Sequence, residues 1–170
     1  LRVAGASRIW CVEPVAHRRE LARLLGADVV IDPAEADPVK VVLQDTGKRG
    51  VDVVFDCVAK DGSINQAIHM GSSAARIVIT GLPSEEYPAI DFHHLRRKEQ
   101  HFFPVRRSNH KSELALRLLR EQPGRFTPMI THRLPLDRIQ HAFETLESYT
   151  DGVGKITFIP QISLGLNYRF

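Results

Sequence analysis

Apolar positions in this chain come in short runs that switch between a continuous and a helical period. Arg8-Ile9-Trp10-Cys11-Val12-Glu13 reads as a buried strand, followed by an amphipathic helix from Val15 to Leu25 capped by Gly26. Asp28-Val29-Val30-Ile31-Asp32 reads as the next strand. Pro38 stands near a helix start, and that helix runs from Val39 towards Gly47. Val51 to Val58 is a near-continuous apolar run, of the kind buried on both faces of a sheet. Gly62-Ser63 opens a short helix to Met70, and Arg76 to Thr80 is a strand closed by Gly81-Leu82-Pro83. A short polar helix is predicted around Asp91 to Lys98, a strand over His101 to Val105, and an amphipathic helix over Ser112 to Glu121. In that last helix Leu114, Leu118 and Leu119 share a face. Gln122-Pro123-Gly124 breaks the pattern and marks a boundary. Beyond it come a short strand (Met129 to His132), a helix (Asp137 to Ser148) and a strand (Lys155 to Ile159). The tail from Gln161 to Phe170 has no clear period.

Alternation of strand and helix argues an α/β fold, a doubly wound parallel sheet with helices on both faces. An acidic residue ending the second strand of such a sheet binds the adenosine ribose hydroxyls of a dinucleotide, and Glu13 has that place. The role requires a glycine-rich turn about 20 residues upstream. The residues before Glu13 contain a single glycine, Gly5. The expectation is therefore a Rossmann-like sheet lacking its first strand and phosphate loop, with strands two to six visible. In the order 3-2-1-4-5-6 the missing strand is central. Strands two and four then either leave a slot or close up and pair directly.

Composition narrows the function classes. The chain has 170 residues, 43% hydrophobic and 25% charged, with net charge +3, as in ordinary globular proteins. No apolar run reaches the roughly 18 to 20 residues of a membrane span, and no signal-peptide pattern opens the chain. No membrane partner and a cytoplasmic location are expected. Basic residues are scattered without aromatic interleaving, so no nucleic-acid partner is expected. Cys11 and Cys57 sit in apolar runs and read as small buried hydrophobes in a reducing compartment. His93 and His94 are adjacent, so on a helix they diverge, and His101, His110, His132 and His141 have no convergent spacing. No metal ligands and no catalytic residues are expected in this chain. Trp10 reads as core.

The stretches Ala4-Gly5-Ala6-Ser7-Arg8-Ile9, Leu24-Leu25-Gly26-Ala27-Asp28, Val51-Asp52-Val53-Val54-Phe55-Asp56, Ile139-Gln140-His141-Ala142-Phe143-Glu144 and Gly154-Lys155 carry a resemblance. In order and spacing they are similar to the C-terminal half of zinc-type medium-chain alcohol and polyol dehydrogenases. The resemblance implies a truncated dinucleotide-binding domain over 1–124, a segment returning to the catalytic domain over 125–160, and an unassigned tail over 161–170. It implies hydride transfer between an alcohol or polyol and a nicotinamide, zinc-assisted in the intact family. The zinc ligands lie in the family's N-terminal domain, so this chain alone is expected to be inactive. The small-molecule alcohol is then the partner of the intact enzyme, and a homo-oligomer is the family's usual state.

Site roles follow from the same resemblance. Glu13 would accept the ribose hydroxyls and repel a 2′-phosphate, favouring NAD over NADP. Arg18 would lie against the adenosine ribose; it could instead take a 2′-phosphate, or belong to a solvated helix face. Cys57 and Val58 would pass the adenine and ribose. Thr80, Gly81, Leu82 and Phe103 would meet the nicotinamide carboxamide. Lys155 would offset pyrophosphate charge, or be a surface lysine at a strand start. The family's glycines are replaced at Ala59, Ala74, Ala75 and Pro104. Pro104 lacks an N–H and argues against a regular dimer-edge strand over His101 to Val105. Two other classes fit less of the chain: a non-enzymatic cofactor-binding or dimer-partner module, and another doubly wound domain such as a methyltransferase.

Overall fold

The computed structural model describes residues 1–108 and 110–159, so the tail expectation lies outside the described residues. Elements follow in the order β1 (Trp10–Val12), α1 (Ala16–Leu24), β2 (Val29–Ile31), α2 (Pro38–Asp45), β3 (Val51–Asp56), α3 (Asp61–Met70) and β4 (Gly71–Ile79). Then come α4 (Phe92–Arg97), β5 (His101–Pro104), α5 (Ser112–Glu121), α6 (Pro123–Phe126), β6 (Ile130–Pro135), α7 (Ile139–Ser148) and β7 (Lys155–Ile159). Two compact units form, one from Leu1–Val30 with the residues from Leu114 onward, the other from Ile31–Glu113.

The strands fall into three sheets: β1-β2, β3-β4-β5 and β6-β7. The orders of the first two match the 2-3 and 4-5-6 stretches of a 3-2-1-4-5-6 sheet. Among the described residues β1 and β3 belong to different sheets. The pairs β3·β4, β4·β5 and β6·β7 are parallel.

In the Ile31–Glu113 unit, Val53, Val54, Phe55 and Asp56 pair with Arg76, Ile77, Val78 and Ile79. Arg76 to Ile79 pair in turn with His101 to Pro104. The α3 helix covers this sheet through Ala67, which clusters with Ala75 and Ile77, while Val54, Ile79 and Phe102 pack around them. Ile64 and Ile68 on α3 and Val42 on α2 are also buried. Gln100, just before β5, is buried and donates from Nε2 to the carbonyls of Ile68 (2.9 Å), Gly71 (3.0 Å) and Ser72 (3.3 Å). That amide ties the end of α3 to the start of β4.

Several expectations change. The run Val51 to Val58 is not covered on both faces: β3 is an edge strand and Phe55 is 45% exposed. Strand β4 begins at Gly71, before the predicted Arg76, but its first half is irregular, because the register jumps from Val51↔Gly71 to Val53↔Arg76. Ala74 sits in that irregular half with φ 56°. A regular β5 does form despite Pro104. It is an edge strand, and the Val105 N–H bonds Ile79 O at 2.9 Å, so the position one residue earlier directs its missing N–H to the open side. Trp10 is half-buried rather than core, with the Arg8 guanidinium 5.2 Å from its ring centroid. Cys57 is exposed and Cys11 half-buried, so neither is a buried hydrophobe. The apolar face of α5 has no buried residue.

In the other unit, α1 carries the contacts. His17 Nε2 donates to Val153 O at 3.1 Å, and the Arg18 guanidinium lies 4.3 Å from the Tyr149 ring centroid. Asp28 anchors the N-terminal turn: its Oδ2 accepts the Ile9 N–H at 2.7 Å and the Arg2 guanidinium. Arg2 also donates to Gly26 O at 3.0 Å.

Two predictions follow from this packing. Ala74 is exposed, so Ala74→Gly removes a left-handed strain of about 1–2 kcal/mol without losing buried area. Greater unfolded-state freedom takes back about 0.4–1 kcal/mol. Chemical denaturation should show a small net stabilisation. Asp28 is held below its ordinary 3.8 by the Ile9 N–H first and by Arg2 second. A lowered folded-state value means its stabilisation is present above pH 3.8 and is lost as pH falls through that lowered value. Asp28→Asn should therefore lower the thermal midpoint at neutral pH, and the gap from the unmodified chain should close in strong acid.

Candidate functional site at the carboxyl edge of the sheet

Because β3, β4 and β5 are parallel, their carboxyl ends share one edge, where open α/β sheets bind ligands. Asp56, the last residue of β3, organises that edge. It is 5% exposed. Its Oδ1 accepts the N–H groups of Val58 (2.8 Å) and Ala59 (3.1 Å), and its Oδ2 accepts the Ser63 hydroxyl (2.9 Å). Its carbonyl accepts the N–H groups of Thr80 (2.8 Å) and Gly81 (3.1 Å) and the Thr80 hydroxyl (3.2 Å). One residue thus fixes the loop after β3, the first turn of α3 and the loop after β4.

Gly81 is forced by close approach. A Cβ there would stand 2.6 Å from the Val58 carbonyl carbon and 2.7 Å from the Ala59 nitrogen. Ala59, at 2% exposed, adopts φ 58° beside it. Cys57 is exposed, with the Thr80 hydroxyl 3.2 Å from its Sγ. Three apolar side chains stand open at the same edge: Val58 (54% exposed), Leu82 (92%) and Phe103 (46%). The structure brings together Cys57 with Thr80 and Val58 with Gly81, while Leu82 and Phe103 lie in the same Ile31–Glu113 unit, after β4 and within β5.

Glu13, Arg18 and Lys155 belong to the other unit. Glu13 Oε1 accepts the Val15 N–H at 2.9 Å, so the carboxylate caps the entry to α1. Arg19, which the sequence did not single out, donates to the carbonyls of Glu13 (2.9 Å) and Pro14 (2.7 Å). Arg18 stacks on Tyr149. Lys155 opens β7 and is exposed.

Sequence reasoning missed Asp56, Arg19 and Tyr149 as organising residues. Asp56 had a signal: an aspartate ending a strand and followed by a turn is placed to accept N–H groups two and three residues on. The histidine reading also changes. His69 and His94 lie far apart in sequence, yet their ring centroids are 4.3 Å apart. Burial holds His94 below its ordinary 6.5, with His69 and Lys98 adding to the effect.

Known proteins resemble this chain along most of its length. The family profile described as zinc-binding dehydrogenase matches residues 1–121. The L-threonine 3-dehydrogenase of Symbiobacterium thermophilum is 32% identical, over 95% of this chain and 46% of the relative. Human sorbitol dehydrogenase is 26% identical, over 86% of this chain and 41% of the relative. Among solved structures, the 2R,3R-butanediol dehydrogenase of Bacillus subtilis superposes with a TM-score of 0.83 at 28% identity, over 94% of this chain and 46% of that one. The chain thus spans about half the length of these relatives.

Gly81→Ala should be among the most damaging single changes in this unit. The new methyl meets backbone on the Val58–Ala59 side, which cannot rotate away. Overpacking of this kind costs about 1–3 kcal/mol. Ala59→Gly makes the opposite test: relief of about 1–2 kcal/mol of left-handed strain is offset by a lost buried methyl of about 0.8 kcal/mol and by unfolded-state entropy. Urea midpoints should fall clearly for Gly81→Ala and stay near the unmodified value for Ala59→Gly.

Proposed function

The chain belongs to the zinc-binding dehydrogenase family, and from that footing we propose that it is the cofactor-binding portion of an NAD(P)-dependent oxidoreductase. The reaction is hydride transfer between a small alcohol or polyol and nicotinamide. The observation that carries this reading is the carboxyl edge itself: exposed Val58, Leu82 and Phe103 around a backbone locked by Asp56. An apolar rim over fixed polar backbone suits a flat, partly polar heterocycle.

Each residue has a role in the proposal. Glu13 accepts the ribose hydroxyls and disfavours a 2′-phosphate, so NAD is the cofactor in preference to NADP. Its Oε1 is occupied by the Val15 N–H, which fixes the carboxylate's direction. Arg18 bounds the ribose region while stacked on Tyr149. Cys57 and Val58 line the adenine and ribose side. Thr80, Gly81, Leu82 and Phe103 seat the carboxamide. Exposed Lys155 supplies positive charge for the pyrophosphate. When bound, the nicotinamide supplies the hydride acceptor.

By the family resemblance, the zinc ligands of the intact enzyme lie in its N-terminal domain. In the proposal this portion positions the cofactor, and the alcohol-activating step belongs to the rest of the intact enzyme. The chain by itself is proposed to be inactive. Residues 1–124 would form the cofactor domain, and 125–160 the return to the catalytic domain. Homo-oligomerisation is proposed on the same family footing. No helix among the described residues is long and apolar enough to cross a membrane.

The test is a chimera joining the N-terminal half of the Symbiobacterium L-threonine 3-dehydrogenase to this chain. It should use NAD with a higher kcat/KM than NADP. Glu13→Ser should shift that ratio towards NADP by roughly tenfold, about 1.4 kcal/mol. Equal use of both cofactors by the unmodified chimera would contradict the role given to Glu13.

A further inference from the structure

One face of α3 carries Asp61, Asn65 and His69, spaced a helical turn apart, and all three engage the segment leading into α4. Asp61 Oδ1 accepts the Ala89 N–H at 3.1 Å. Asn65 donates to Ala89 O at 3.0 Å and accepts the Asp91 N–H at 2.7 Å. At the end of the row, His69 Nε2 stands 3.4 Å from Asp91 Oδ2. Asp91 Oδ1 is already committed: it caps α4 by accepting the His94 N–H at 3.0 Å. Its backbone is held by Asn65, and Oδ2 is the oxygen that faces His69.

The third member is His94. Its Nε2 is buried and has no hydrogen-bond partner among the described residues. A buried imidazole nitrogen without a partner is unfavourable and calls for an explanation. The His69 and His94 rings are tilted by 59° at 4.3 Å, so they do not stack flat. One ligand atom from each of His69, Asp91 and His94 lies within 4.8 Å of the others.

A His69–Asp91 ion pair alone accounts for the 3.4 Å contact but leaves His94 Nε2 unpaired. Two ligands bound at about 2.0–2.1 Å to a tetrahedral ion stand about 3.3–3.4 Å apart. The His69–Asp91 spacing is close to that value, and the His94 ligand atom lies within 4.8 Å of both. Lys98 donates to Gly71 O at 2.7 Å. Two imidazoles and one carboxylate are a donor set for a borderline ion rather than for calcium or magnesium, which want oxygen.

We propose that His69, Asp91 and His94 form a three-ligand site for a divalent transition ion, with Zn2+ as the ion that fits the donor set. Water takes the fourth position. Asn65 is its positioning residue, since it fixes Asp91. The site lies at the last turn of α3, about 12 Å along the helix from Asp61, on the 1.5 Å rise per residue. Its action is structural: the ion clamps the segment between β4 and α4 to α3, and so holds the loop that begins with Thr80, Gly81 and Leu82.

The experiment uses the untagged full chain, stripped of metal by chelator, and reads Zn2+ uptake by competition with a chromophoric indicator. One equivalent should bind, and Co2+ should give the intense visible bands of a low-coordinate ion. His69→Ala and His94→Ala should each weaken Zn2+ by at least about tenfold, while His132→Ala, outside the cluster, leaves it unchanged. Asn65→Ala should weaken it less than loss of a ligand does. Should a ligand variant not fold, the unmodified chain still decides: Zn2+ should shift the ring signals of His69 and His94 in the NMR spectrum and spare those of His17 and His132. Absence of stoichiometric uptake overturns the proposal, and so does uptake that perturbs other histidines only.

Discussion

A buried carboxylate at the end of one strand is the constraint on which this chain's candidate cofactor edge depends. Asp56 is 5% exposed and must satisfy both side-chain oxygens and its carbonyl without bulk water. It does so with the N–H groups of Val58, Ala59, Thr80 and Gly81 and the hydroxyls of Ser63 and Thr80. Val58, Ala59, Thr80 and Gly81 lie in the loops after β3 and β4, and Ser63 in the first turn of α3. Leaving such groups unpaired costs about 1–3 kcal/mol apiece, so the loops cannot drift independently. The same network explains why Gly81 has no side chain: Asp56 draws the loop after β4 down onto the Val58–Ala59 backbone until no Cβ fits.

The alanines at Ala59 and Ala74 show how a fold tolerates a residue its backbone does not prefer. Both hold φ near the left-handed value, 58° and 56°. At Ala59 the strain has a return, since its methyl is buried and its N–H is taken by Asp56. At Ala74 the side chain is exposed, and its N–H bonds Lys98 O at 2.7 Å, tying irregular β4 to the end of α4. Backbone satisfaction, not side-chain packing, keeps that position in place. Both sites stand where the family resemblance implies glycine, so these departures are local strain within an unchanged path.

Much of the fold was legible because it depends on local periodicity. The run at Lys155 to Ile159 and the helix at Ser112 to Glu121 occupy the predicted residues, and the strand order needs only the alternation of elements. What periodicity cannot report is which neighbours are present. Phe55, Cys57 and the leucines of α5 are apolar in pattern but open in fact, because burial depends on a covering surface and not on the run itself. Pro104 misled for a related reason. A missing N–H is disruptive only if it faces a partner strand, and the edge position of β5 with its outward phase is a property of the sheet. The carboxyl-edge residues were legible as strand ends. Their mutual fixation through Asp56 was legible only as a turn signal.

Side-chain convergence lay furthest from the sequence. Arg18 meets Tyr149 and His17 meets Val153 across most of the chain's length, so no spacing rule joins them. The Asp61, Asn65 and His69 row is different. Its helical spacing is visible in the sequence, but it reads as an ordinary solvated face until the segment at Ala89 to Asp91 is laid along it. Polar rows of this kind trade solvent for fixed partners, and the trade is complete at Asp61 and Asn65. It is incomplete at the last turn, where His94 Nε2 is buried without a partner. A chain that pairs its polar groups along the rest of one helix face and leaves a buried nitrogen at the end of it has placed a donor where some further acceptor of its lone pair belongs. The unpaired nitrogen of His94 is there whatever the carboxyl edge binds.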